Sequence, residues 1–183
     1  MKTQNSLGLW KPSNEGLPGK KSTHDSALVG IKTLQCDYAC DEVKQEERIL
    51  IHRSEIESIR CNTLEWGDTE TGGHLYGAYT GSGTPIVMLA TPPGPQAVHS
   101  TATFIQDINY FRRCSEKIYK RFGLCFIGRW HSHHVMGLRR PSMGDIASAS
   151  SIMAKNCIPT FVELITTMSP SKGNVTINAY IYR

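Results

Sequence analysis

The sequence predicts a mixed α/β (α+β) domain: a single mixed β-sheet flanked by helices. Three observations predict it. Apolar runs of strand length recur at 49–51, 74–91 and 160–182, and an amphipathic stripe of helical spacing runs over about 100–122. A buried apolar run, Leu124-Cys125-Phe126-Ile127, follows that stripe at once. The order along the chain is strand, helix, hairpin, helix, strand, helix, hairpin.

Residues 1–47 read as an N-terminal arm or extension. Pro12, Gly16, Pro18 and Gly19 interrupt its first part, and Val29, Ile31 and Leu34 offer a short strand further on. The domain proper is expected over 48–183. Ile49-Leu50-Ile51 is strand-like, and Ser54-x-x-Glu57 has the spacing of a capping box opening a helix to about Leu64. His74–Thr80 and Thr84–Thr91 flank Gly81-Ser82-Gly83 and read as a hairpin. The breaker Thr91-Pro92-Pro93-Gly94-Pro95 precedes a helix over about Ser100–Phe122, with Phe104, Ile108, Phe111, Ile118 and Phe122 as its apolar face and Gly123 as its stop. A second helix over about Asp145–Lys155 leads to strands at Thr160–Thr167 and Val175–Tyr182.

Composition bounds the function classes. The chain has 183 residues, 39% hydrophobic and 20% charged, enough for one domain with its own core. Lys and Arg outnumber Asp and Glu by 20 to 16, a net charge of +4 with a pI near 8.7. That falls short of the clustered basic stripe of a nucleic-acid binder, so no nucleic-acid partner is expected. The longest apolar run, Ile86–Ala90, is far below a membrane span, and the polar first residues are unlike a secretory signal. The six cysteines then read as free thiols of a cytoplasmic protein. Cys36 and Cys40 have the separation of a metal half-site, without a second pair nearby.

The chemistry concentrates after the 124–127 strand, in Arg129-Trp130-His131-Ser132-His133-His134 and Pro141-Ser142-Met143-Gly144-Asp145. If the chain stays extended, His131 and His133 project to the same side, because strand side chains alternate. Asp145, at the start of a helix beyond a loop, can close back as an oxygen ligand. Two imidazoles and one carboxylate leave a fourth tetrahedral position open, the arrangement of a catalytic zinc site; a solvated histidine pair is the bland alternative. Glu70 stands before a strand beside Gly72 and Gly73, where a carboxylate can serve as both base and acid. His99, Arg139 and Arg140 are weaker candidates for contacts with substrate. His74 reads as packing, and Trp130 as a packed indole whose N–H needs a partner.

Taken together, Glu70-Thr71-Gly72-Gly73-His74-Leu75-Tyr76-Gly77, an apolar strand, His131-Ser132-His133 and Ser142-Met143-Gly144-Asp145 resemble the JAB/MPN (JAMM) zinc metalloprotease family over roughly residues 48–183. The resemblance implies an MPN/JAB, cytidine-deaminase-like architecture. It implies one zinc ion held by His131, His133 and Asp145, Glu70 as general base and acid, and Ser142 as an oxyanion donor. The implied reaction is hydrolysis after the C-terminal glycine of a ubiquitin-like protein, in deconjugation or precursor maturation. His131-Ser132-His133-His134, Gly137-Leu138 and Pro141-Ser142-Met143-Gly144-Asp145 are similar to bacterial branches of ubiquitin-like conjugation operons, some linked to antiphage defence. The implied partners are the ubiquitin-like protein or its conjugates, and conjugation-pathway enzymes. The segment between His133 and Ser142 is one residue longer than is common in the family. Either the loop bulges or His134 takes a ligand place, and strand alternation argues against His134. Two other readings share these residues: a metal-free or partner-activated scaffold, and a zinc amidohydrolase or sulfur-carrier-processing peptidase.

Overall fold

The computed structural model describes residues 28–32, 48–134, 137–168 and 173–183. Within them the elements run β1 (Leu28–Lys32), β2 (Arg48–His52), α1 (Arg53–Glu65), β3 (Gly72–Tyr79), β4 (Pro85–Ala90), β5 (Val98–His99), β6 (Phe104–Ile105), α2 (Ile108–Phe122), β7 (Cys125–Ser132), α3 (Met143–Asn156), β8 (Phe161–Met168) and β9 (Val175–Tyr182). Cys36, Cys40, Leu34, most of the 1–47 arm and residues 169–172 between the last two strands lie outside the described residues. No described helix is long and apolar enough to cross a membrane.

Seven strands form one mixed sheet in the order β1-β2-β4-β3-β7-β8-β9, flanked by the three helices. The pairs β2–β4 and β7–β8 are parallel, and the other neighbours are antiparallel. Alternation decides which face each strand buries. Ile49, Ile51, Leu75, Val87, Trp130, Leu164 and Ala179 meet on one face with Ile59 of α1, and together form the main core. The opposite face carries an aromatic group. Phe126 lies against His74, Tyr76 and Phe161, and Phe111 of α2 stacks on His74 with ring centres 4.2 Å apart. The Leu75/Tyr76 register shift between β3 and β7 is the bulge at which this alternation resets.

The expected hairpin, the 124–127 strand, the last two strands and the Gly123 stop are all present, with Gly123 in the left-handed region at φ 68°. Two expectations about helix starts are corrected. Residue 54 lies inside α1, whose N-cap is His52, and no side chain caps it. The Ser54 hydroxyl bonds to Glu55 and Glu57 reaches Arg60, so no capping box forms there. Likewise α2 begins at Ile108, not near Ser100, because the Asp107 carboxylate accepts the amides of Tyr110 and Gln96 at 2.9 and 3.1 Å. The residues before it form a separate two-stranded ladder, Val98–His99 on Phe104–Ile105, which takes Phe104 out of the helical stripe.

His74 is buried among Phe111 and Phe126; its ring bonds through Nε2 to the Gln106 side chain, while Nδ1 has no hydrogen-bond partner among the described residues. Burial lowers its pKa from 6.5 to about 4, against the opposing pull of Gln106. Between those two values the unfolded chain binds a proton that the folded chain refuses, so stability falls as pH drops from about 6.5 toward 4. The loss is on the order of 3 kcal/mol at the acid end. Urea melts across that range are expected to show this decline, and His74→Phe, which keeps the ring stack, is expected to flatten it.

Candidate active site

The site sits where the β3–β7 ladder ends, at the carboxyl end of the parallel pair β7–β8. Reciprocal bonds close the ladder: the Ser132 amide donates to the Thr71 carbonyl at 2.8 Å, and the Thr71 amide to Ser132 Oγ at 2.9 Å. Glu70 therefore leaves β3 at the same point where His133 leaves β7. The next amide, that of His133, donates to the Thr166 carbonyl at 2.9 Å, which keeps the chain extended past the end of the strand. As alternation requires, His131 and His133 then face the same way. Close approach here depends on glycine: a Cβ on Gly73 would lie 1.9 Å from the Thr91 carbonyl oxygen, the oxygen to which the Trp130 indole N–H donates.

Asp145 comes from the first turn of α3. A capping box forms here, between Ser142 and Asp145: Ser142 Oγ accepts the Asp145 amide at 3.1 Å, and Asp145 Oδ2 accepts the Ser142 amide at 2.7 Å and its hydroxyl at 2.6 Å. The motif that carries the candidate ligand is thus also what starts the helix. Asp145 Oδ1 lies 3.5 Å from His131 Nε2, Oδ2 lies 3.6 Å from His133 Nε2, and the two Nε2 atoms are 3.0 Å apart. The ligand atoms of these three residues all fall within 4.8 Å of one another.

This donor set fits a first-row divalent ion. His133 Nδ1 faces the Leu138 carbonyl at 2.9 Å and can only donate there, which leaves the Nε2 lone pair of the neutral ring pointing into the site. A second imidazole and a carboxylate converge on the same point, and a cation is what such a set of lone pairs satisfies. Charge agrees with geometry. Burial disfavours an ionised Asp145, but hydrogen bonds from His131, His133 and Ser142 outweigh it and hold the carboxyl far below the usual range. Burial also opposes a charged His133, yet Asp145, the Leu138 carbonyl and Glu70 together raise its pKa.

Glu70, His131, His133, Ser142 and Asp145 line one pocket together with Thr103, Phe104 and Gln106. Burial raises the Glu70 pKa, and His133 and His131 pull against it. His99 does not line this pocket. It stands behind Glu70, bonding the Glu70 carbonyl through Nδ1 at 2.9 Å and stacking flat on Trp66 at 3.3 Å. Arg139 and Arg140 are exposed on the loop before Ser142, where the Arg139 carbonyl accepts the Tyr180 hydroxyl at 2.7 Å. The Leu138 and Arg139 carbonyls thus anchor the long loop from two sides. His134 stays outside the cluster, and neither of its buried ring nitrogens has a hydrogen-bond partner among the described residues.

Sequence reasoning missed a polar group beneath the site. Arg129 Nε donates to Glu163 at 2.6 Å, and its other nitrogens reach Ser148 Oγ and the Asp145 carbonyl, both at 2.9 Å. The Tyr182 hydroxyl donates to the other Glu163 oxygen. The available signals were Arg129 two residues before His131, and a lone charge inside the apolar run Phe161-Val162-Glu163-Leu164-Ile165.

The chain is 33% identical over 109 residues to a CD-NTase/cGAS isopeptidase of Enterobacter hormaechei, covering 59% of each chain. It is 25% identical over 99 residues to a probable metalloprotease of Sinorhizobium fredii, covering 53% of this chain and 60% of that one. The chain thus spans about three fifths of the length of the curated relatives it matches. No protein-family model matches it. A solution structure of a Desulfitobacterium hafniense protein shares the fold, with TM-score 0.54, 20% identity, and 72% of this chain and 82% of that one covered. An isopeptidase and a metalloprotease among the relatives bear out the resemblance read from the motifs around Glu70 and His131.

After loading with a first-row divalent metal and desalting, the wild-type protein is expected to retain about one ion per chain. Asp145→Ala is expected to retain far less. Elemental analysis of both decides it, and an equal content in the variant would reassign the ligands.

Proposed function

We propose that this chain is a JAMM-type zinc isopeptidase that hydrolyses the bond after the C-terminal glycine of a ubiquitin-like protein, in the cytoplasm, within a bacterial conjugation system. One observation carries the reading: Glu70 opens into the same pocket as the His131, His133 and Asp145 donor set. The relatives support it: one is an isopeptidase and the other a probable metalloprotease.

His131, His133 and Asp145 would hold the ion. When bound there, zinc would supply the Lewis acidity that such a hydrolysis needs near neutral pH. Glu70 takes the proton from the attacking water and returns it to the leaving amine. Burial suits it to both halves of that exchange, since a carboxylate with raised proton affinity is the better base. In this structure the Ser142 hydroxyl proton is committed to Asp145, so serving the oxyanion requires it to turn toward the substrate. The backbone beside Glu70 is held by the Ser100 carbonyl, which accepts its amide at 2.7 Å, and by His99. The backbone that carries the base is therefore fixed before substrate arrives. Thr103, Phe104 and Gln106, which line the same pocket, would meet the extended substrate tail.

The test is cleavage of tagged ubiquitin-like fusions, with small amides alongside and products read by intact mass. Glu70→Gln is expected to keep its zinc while cleavage slows by roughly 10²–10⁴-fold, the usual worth of a placed acid–base group. Full activity in that variant would overturn the mechanism, and turnover of small amides alone would overturn the substrate class.

A further inference from the structure

Glu163 has no accessible surface, yet it sits mid-strand in β8. A buried carboxylate is costly unless paired. This one is paired, by Arg129 on one oxygen and Tyr182 on the other. A buried ion pair, however, stabilises a fold no better than apolar residues of the same volume, so stability alone does not account for it.

Its position does. In the β7–β8 register Arg129 lies opposite Glu163 and His131 opposite Ile165, which puts Arg129, His131 and Glu163 on one face of the sheet. Glu163 Oε1 is 3.5 Å from Nδ1 of His131, the ring nitrogen on the side away from Asp145 and His133. We infer that Glu163 is a positioning residue for His131: it holds the ring with the proton on Nδ1 and the Nε2 lone pair turned into the metal site.

The inference rests on the metal-site reading above. It explains the asymmetry between the two imidazoles. His133 is held from Nδ1 by a neutral carbonyl, that of Leu138, whereas His131 is held by a carboxylate, which also makes the ring a stronger donor to a cation. Arg129 balances the charge of Glu163 and, through the Asp145 carbonyl, ties the same carboxylate to the third candidate ligand. Glu163 is not itself placed as a ligand, because its oxygens are taken by Arg129 and Tyr182 on the Nδ1 side of the ring.

Zinc affinity by chelator competition tests this on full-length wild type, Glu163→Gln and Asp145→Ala, with thermal melts alongside. Glu163→Gln is expected to bind zinc roughly 10–100-fold more weakly while remaining folded. A merely structural role would lower the melting temperature and leave affinity within about twofold, which overturns the inference. Wild type that binds no zinc overturns the metal-site reading itself, and the inference with it. If Glu163→Gln does not fold, proton NMR of zinc-loaded wild type decides. A downfield, slowly exchanging His131 Hδ1 is expected, and a rapidly exchanging one at an ordinary shift refutes the carboxylate contact.

Discussion

Everything at the site depends on how closely β3 and β7 can approach their neighbours. A Cβ on Gly73 or Gly77 would lie within 1.9 Å of a carbonyl oxygen of β4 or its extension, and one on Gly128 would lie 2.0 Å from the Val162 carbonyl. Such contacts leave no room for a methyl group, so glycine is required at these points irrespective of backbone angle. The tight pairing they permit lets the ladder run to its last bond at Thr71 and Ser132. Shift that pairing by one residue and every side chain changes face, so Glu70 and the histidines would no longer share a pocket.

The helix α3 provides the second fixed point. Its capping box satisfies exposed amides, and the carboxylate that does so is also the candidate oxygen ligand. Arg129 clamps the same turn from below by holding the Asp145 carbonyl. Two independent demands, starting a helix and presenting a carboxylate, are thus met by Ser142 and Asp145 together. The helix start, not the loop before it, sets where Asp145 points.

Much of this was legible in the sequence because it rests on short-range rules. Period-two alternation placed His131 and His133 together, and the Gly-Gly pair marked a close approach. Where a rule had two possible sites it misled. Ser54-x-x-Glu57 and Ser142-x-x-Asp145 have the same spacing, but only the second caps a helix, because α1 is entered directly from β2 at His52. The stripe from Phe104 to Phe122 carried no sign that Asp107 would intercept the helix and send Phe104 against Gly72. Glu163 was harder still. Its partners Arg129 and Tyr182 lie on two other strands, and only the sheet order brings them together.

That sheet order has a consequence for the life of the chain. Glu70 precedes β3, the histidines end β7, Asp145 begins α3, and Glu163 waits in β8, so the contacts that join these elements, Thr71 with Ser132 and Arg129 with Glu163 among them, are long-range in sequence. Such contacts form late, after the costly loops between them have closed. A growing chain has Glu70 long before it has Glu163 and Tyr182, so the polar group beneath the site closes only once β9 has been made. Synthesis itself therefore orders assembly: His131, His133 and Asp145 are all made before the buried Glu163 and its Tyr182 partner, so the donor set precedes the polar group beneath it.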